Sequence, residues 1–119
     1  MERIKRVNEG SLKVSDEVIE TVAKIAACDV DGVVSLTKAA VSFNSLFMKS
    51  PHNDAVKIKL YGDVVELTVS VVIKAGFKVT AVAENIQTRV KDDIQGMTGV
   101  TVAKVNVLIT GIVFDENKQ

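Results

Sequence analysis

"VKIKLYGDVVELTVSVVI", residues 56–73, decides the fold. Val56, Ile58 and Leu60 alternate with Lys57, Lys59 and Tyr61, and after Gly62-Asp63 the alternation resumes as Val65, Leu67, Val69, Val71 and Ile73. A period of two marks strands with one buried face. Glycine followed by aspartate fits a two-residue hairpin turn whose first residue needs positive φ. That turn predicts the register: Leu60 opposite Val65, Ile58 opposite Leu67, Val56 opposite Val69. The same register sets Lys59 opposite Glu66 on the other face, a favourable cross-strand pair.

Upstream of the hairpin, Ser15 has the chemistry of a helix N-cap, with Asp16 and Glu17 where the helix dipole favours acids. Val18, Val22, Ile25 and Ala26 recur at helical spacing, with Glu17, Glu20, Thr21 and Lys24 on the other side. This helix is expected to end near Cys28, with a short strand at Val33–Leu36 and a stub of strand at Ser11–Val14 leading in. Downstream, Gly76 ends the hairpin's second strand. Val79, Val82, Ala83, Ile86, Val90 and Ile94 then mark a second amphipathic helix. "KVNVLITGIVF", residues 104–114, is the last strand, with Val105, Val107, Ile109 and Val113 expected on one face. Strand, helix and strand make a parallel crossover. The expected fold is α+β: a two-layer sandwich in which two helices pack on one face of a mixed β-sheet. Its 119 residues suit a single domain, with a flexible or docking loop at about 38–54.

Composition narrows the function classes. Apolar residues make up 47% of the chain, so a packed core is expected. Lys+Arg and Asp+Glu number 15 each, whereas nucleic-acid binders usually carry a basic excess. One tyrosine and no tryptophan leave few stacking surfaces. No nucleic-acid partner is expected. No apolar run approaches the roughly 20 residues of a spanning helix, and "MERIKRVNEG" does not have the pattern of a signal peptide. A lone cysteine, Cys28, suits a reducing compartment. The expected location is the cytoplasm, with no direct membrane insertion.

Candidate sites for chemistry fall away in turn. Gly96-Met97-Thr98-Gly99 has the Gly-x-x-Gly form of an RNA-backbone clamp. It follows a helix, however, so phosphate would meet the carbonyl end of the dipole, with Asp92 and Asp93 nearby. Gly96 instead suits a left-handed helix cap with Met97 packing back. Asp29-Val30-Asp31-Gly32 begins like a calcium loop but lacks its further acidic ligands; it reads as a helix exit closed by Gly32. His52 is the only histidine, which excludes a multi-histidine metal site. Cys28 reads as a small hydrophobe packed behind the first helix. The chain has no Walker loop or Gly-x-Gly-x-x-Gly, and Asp92-Asp93 and Asp115-Glu116 read as solvated charge. The expectation is no catalytic residue, no metal and no cofactor.

One feature resists a purely structural reading. The face of the sheet away from the helices is expected to carry Leu108, Ile112 and Phe114 from the last strand, and Val64 and Val72 from the hairpin. A solvated face should not be this apolar. Either the loop bearing Phe43 and Phe47 folds over it, or another chain covers it.

Three segments together resemble the alkaline-shock-protein family of envelope stress response proteins: "GSLKVSDEVIETVAKIAA" from Gly10, "DVDGVVSL" from Asp29, and "VAENIQTRVKDDIQGMTGVTVAKVNVLITGIVF" from Val82. Gln87, Met97-Thr98-Gly99, Val105-Asn106-Val107 and Gly111 carry it; Ala75 stands where the family often has tyrosine. The resemblance implies a small cytoplasmic protein of Gram-positive-type bacteria concerned with the cell envelope. It further implies self-association into a homo-oligomer and, in some members, attachment to the membrane through an anchoring partner protein. It supplies no active site to carry over. The leading reading is a non-enzymatic scaffold in envelope stress or homeostasis. The alternative is a nucleic-acid-binding or regulatory module, and a small enzyme built around His52 is the weakest.

Overall fold

The computed structural model describes residues 2–7, 10–36 and 55–114. The loop expected at 38–54, with Phe43, Phe47 and His52, lies outside the described residues, as does Asp115-Glu116. In chain order the elements are β1 (Glu2–Val7), β2 (Gly10–Ser15), α1 (Asp16–Cys28), β3 (Val33–Leu36), β4 (Val56–Tyr61), β5 (Val64–Lys74), α2 (Val79–Thr98) and β6 (Thr101–Val113).

The β4–β5 hairpin has the register its sequence predicts: Leu60 pairs Val65, Ile58 pairs Leu67, Val56 pairs Val69 and Lys59 pairs Glu66. Gly62 has φ 62°, the left-handed conformation the turn demands. β5 is the spine of a four-stranded mixed sheet. Along one edge β4 pairs its first half and β3 its second, both antiparallel. Chain continuity along that edge breaks between Leu36, paired with Val71, and Ala55, whose carbonyl accepts from Ser70 N at 2.9 Å. Along the other edge β6 runs parallel to β5 over its full length.

Both helices cover one face, as expected. Ile19, Ala23, Ala26 and Ala27 of α1 and Val82, Ile86, Val90 and Ile94 of α2 close a core over Val65, Leu67, Val69, Val71 and Ile73. Ser15 caps α1, its hydroxyl accepting from Val18 N at 3.3 Å. The apolar stripe of α1 matches the sequence reading in part: Ala26 is buried and Val22 packs against the core, but Val18 is 46% and Ile25 66% exposed, and the buried stripe runs on through Ile19, Ala23 and Ala27. Alanines let the helix axis approach the sheet closely, so tertiary fit chose the small residues over the large ones.

The stub before α1 is longer than expected and does not join the main sheet. β2 pairs β1 antiparallel from Glu2–Ser15 to Val7–Gly10, forming a separate two-stranded sheet. The charged N-terminal segment gave no alternation strong enough to mark β1.

Candidate interaction surface

On the face of the sheet away from the helices, the half nearest the hairpin turn is polar and internally satisfied. Asn106 Nδ2 donates to Glu66 Oε2 at 2.8 Å and to Thr68 Oγ1 at 3.4 Å. That bond from Asn106, with Lys104 and Lys59 nearby and a bond from Tyr61, lowers the pKa of Glu66, outweighing the opposing effect of burial. Lys59 Nζ also sits 5.8 Å from the Tyr61 ring centroid.

The other half is where the expected apolar residues belong, and their placement differs in detail. Two irregularities in the β5–β6 register, between Val65 and Glu66 and between Val71 and Val72, each insert an extra β6 residue. Such bulges shift which residues face which side. Val71 pairs Ile109, but Val72 pairs Gly111 and Ile73 pairs Ile112. Partners in a parallel pair share a face, so Ile112 lies on the helix side of the sheet beside Ile73, and Val113 lies on the open side. Both assignments reverse strict alternation. Val72 is only 1% exposed, so it offers no free surface. A Cβ built on Gly111 would stand 3.6 Å from Val72 Cγ2, so the glycine faces that valine. Val64 is half-buried on the open face. Leu108 is the open-face residue that fits expectation: it pairs Ser70 and is 51% exposed.

Beyond the open face, apolar side chains gather at the end of the sheet where β5 and β6 finish. Lys74 N donates to Gly32 O and Ala75 N to Val113 O, both at 2.8 Å, tying three segments there. Phe114 is 70%, Ile112 48%, Phe77 43% and Val79 40% exposed. Val79 was expected on the apolar stripe of the second helix, and the first turn of α2 leaves it exposed. Phe77 escaped the sequence reading: its position just after the strand-ending Gly76 says nothing about exposure.

β6 has a second property invisible in hydropathy. Among the described residues it pairs with β5 alone, so its outer edge has no strand partner. Two glutamines of α2 reach that strand. Gln95 Oε1 accepts from Val102 N at 2.9 Å, and Gln87 Nε2 donates to Val105 O at 3.2 Å. They cap backbone groups in its first half, one way in which proteins blunt an open edge.

Several of the remaining sequence candidates fall on described residues at helix ends and turns. α2 runs through Gly96 to Thr98, and the left-handed cap is Gly99, φ 77°, its N–H bonded to Gln95 O. Met97 does not pack back; it is 73% exposed. The Gly-x-x-Gly segment is a helix end, with the cap three residues later than expected. Asp29 caps α1 and pairs with Arg89, while Gly32 (φ 97°) makes the turn into β3. Cys28 is exposed instead of packed, and desolvation raises its thiol pKa, opposite to the shift that activates a nucleophile. Among the described residues no group of three or more His, Cys, Asp or Glu side chains is placed to hold a metal ion. Among the same residues no helix is long and apolar enough to cross a membrane.

Comparison with known proteins agrees with this architecture. The profile of the alkaline shock protein 23 family, described as having a cell envelope-related function, matches residues 5–114. The chain is 32% identical to YqhY of Bacillus subtilis over 111 residues, covering 92% of this chain and 82% of that protein. It is 34% identical to Spy1614 of Streptococcus pyogenes over 107 residues, covering 87% and 88% respectively. Among solved structures, a MamM CTD variant superposes with a TM-score of 0.50 at 14% identity, covering 80% of this chain and 95% of that one. At that identity the likeness concerns the fold.

Proposed function

We propose, from the premise that this chain belongs to the alkaline shock protein 23 family with its cell envelope-related function, that it acts as a non-enzymatic interaction protein in envelope homeostasis or stress response. It works by self-association and by docking a partner, and it reaches the membrane through that partner while residing in the cytoplasm. The observation that carries this reading is the apolar cluster at the end of β5 and β6, where Phe114, Ile112, Phe77 and Val79 all stand at least 40% exposed. Exposed apolar side chains gathered at one place, next to a strand edge that has no strand partner among the described residues, mark interaction surface.

Light scattering across a concentration series, with fluorescence localisation of the tagged chain in cells, tests the reading. The expected result is a mass above the monomer's and enrichment at the cell periphery. A monomer at every concentration together with uniform cytoplasmic fluorescence would overturn it.

A further inference from the structure

The outer edge of β6 is unevenly protected. Gln95 occupies Val102 N–H and Gln87 occupies Val105 C=O. Because Val102 N–H is given to a helix side chain, that edge group points away from β5. Backbone groups alternate along a strand, so with Val105 directed outward the next outward-facing residues are Val107 and Ile109. A bulge at Thr110 then ends the regular run. Between Gln87's cap and the bulge lies a short stretch centred on Leu108 that is open among the described residues. Its side chain projects from the open face at 51% exposure, and Val107 and Ile109 are only partly buried against the core.

We infer that this stretch is a docking edge for a second copy of this chain, the two β6 strands pairing antiparallel about a two-fold axis through Leu108. The inference rests on the self-association proposed above and names its surface. In this register Val107 of one copy faces Ile109 of the other, twice, and each pair exchanges both N–H···O=C bonds. The bonds use outward groups that Gln87 does not occupy. Leu108 meets Leu108 of the second copy on the open face, apolar on apolar, and the bulge at Thr110 ends the ladder on either side. A two-fold axis through Val107 would oppose Val105, already bonded to Gln87, to Ile109, and would set Asn106 against Leu108. An axis through Asn106 would set Lys104 against Leu108. The axis through Leu108 alone matches both the free hydrogen-bonding groups and the side chains. The interface is isologous, as a closed dimer requires, and the ladder is short, so the dimer is concentration-dependent.

The test replaces Cys28 by serine and introduces Leu108→Cys, with Thr101→Cys in the same background as the control. Under mild oxidation Leu108→Cys is expected to give a disulfide-linked dimer, since the register sets position 108 opposite itself, and Thr101→Cys is not. In otherwise wild-type protein Leu108→Lys, a surface change that leaves circular dichroism unaltered, is expected to weaken dimerisation in sedimentation by at least about tenfold. A wild-type oligomer untouched by Leu108→Lys and not crosslinked through Leu108→Cys overturns the β6 edge while self-association stands. A wild type that stays monomeric at its highest soluble concentration overturns both.

Discussion

Arg89 in the middle of α2 forms an ion pair with Asp29, the residue that caps the C-terminus of α1, and its Nε also bonds Asp93 Oδ2 at 3.3 Å. One guanidinium thus ties the end of the first helix to the second, and the two carboxylates raise its pKa further, Asp29 contributing most. The side chains of Arg89 and Asp29 are 43% and 63% exposed, so water and salt screen the attraction. Arg89→Ala is therefore expected to lower the thermal midpoint only slightly in dilute buffer. In about 1 M salt the difference from wild type should vanish. A large loss that persists in high salt would show that the aliphatic stem's packing matters more than the charge.

Glu66 provides a pH dependence with a definite sign. Its folded-state pKa is lowered, chiefly by the bond from Asn106. Its contribution to stability is therefore complete above the unfolded value of about 4.3 and is lost as pH falls through the lower folded value. Thermal midpoints of wild type and Glu66→Gln should differ at neutral pH and converge in acid. A gap that stays constant with pH would sink this assignment.

Gly32 and Gly111 should respond unequally to alanine. Gly32 has φ +97°, and an added Cβ would lie 2.9 Å from Phe77 Cδ2 and 3.2 Å from Val82 Cγ2. Gly32→Ala is expected to cost on the order of 1–3 kcal/mol from backbone strain alone. At Gly111 the new Cβ meets Val72 at 3.6 Å, ordinary contact, so Gly111→Ala should stay within about 0.5 kcal/mol of wild type. Urea unfolding of the two variants decides this.

The orientation of α1 is testable by truncation. Ile19 is 0% exposed and Ile25 66% exposed. Ile19→Ala should cost about 2–5 kcal/mol through lost burial and the cavity left behind. Ile25→Ala should cost less than about 0.5 kcal/mol in the monomer. Equal losses would mean that α1 turns Val18 and Ile25 toward the core, as periodicity alone suggests.

The sequence by itself determined the hairpin, the two helices, their common face and the family. Each of these rests on local information. Gly62-Asp63 sets one turn, that turn sets every rung from Leu60–Val65 to Val56–Val69, and Val65, Leu67, Val69, Val71 and Ile73 recur at every second position of β5. The side of the sheet on which Ile112 and Val113 lie was decided only by the tertiary structure, because the bulge beside Gly111 arises where β6 must stay in step with β5 and leaves no mark in hydropathy. The burial of Val72, the exposure of Ile25 and the cap that falls on Gly99 were settled in the same way. They depend on how closely elements distant in sequence approach one another, which an alternation of apolar and polar residues does not encode. The open stretch around Leu108 belongs with them, since it exists only because side chains from α2 reach one part of the β6 strand and not the next.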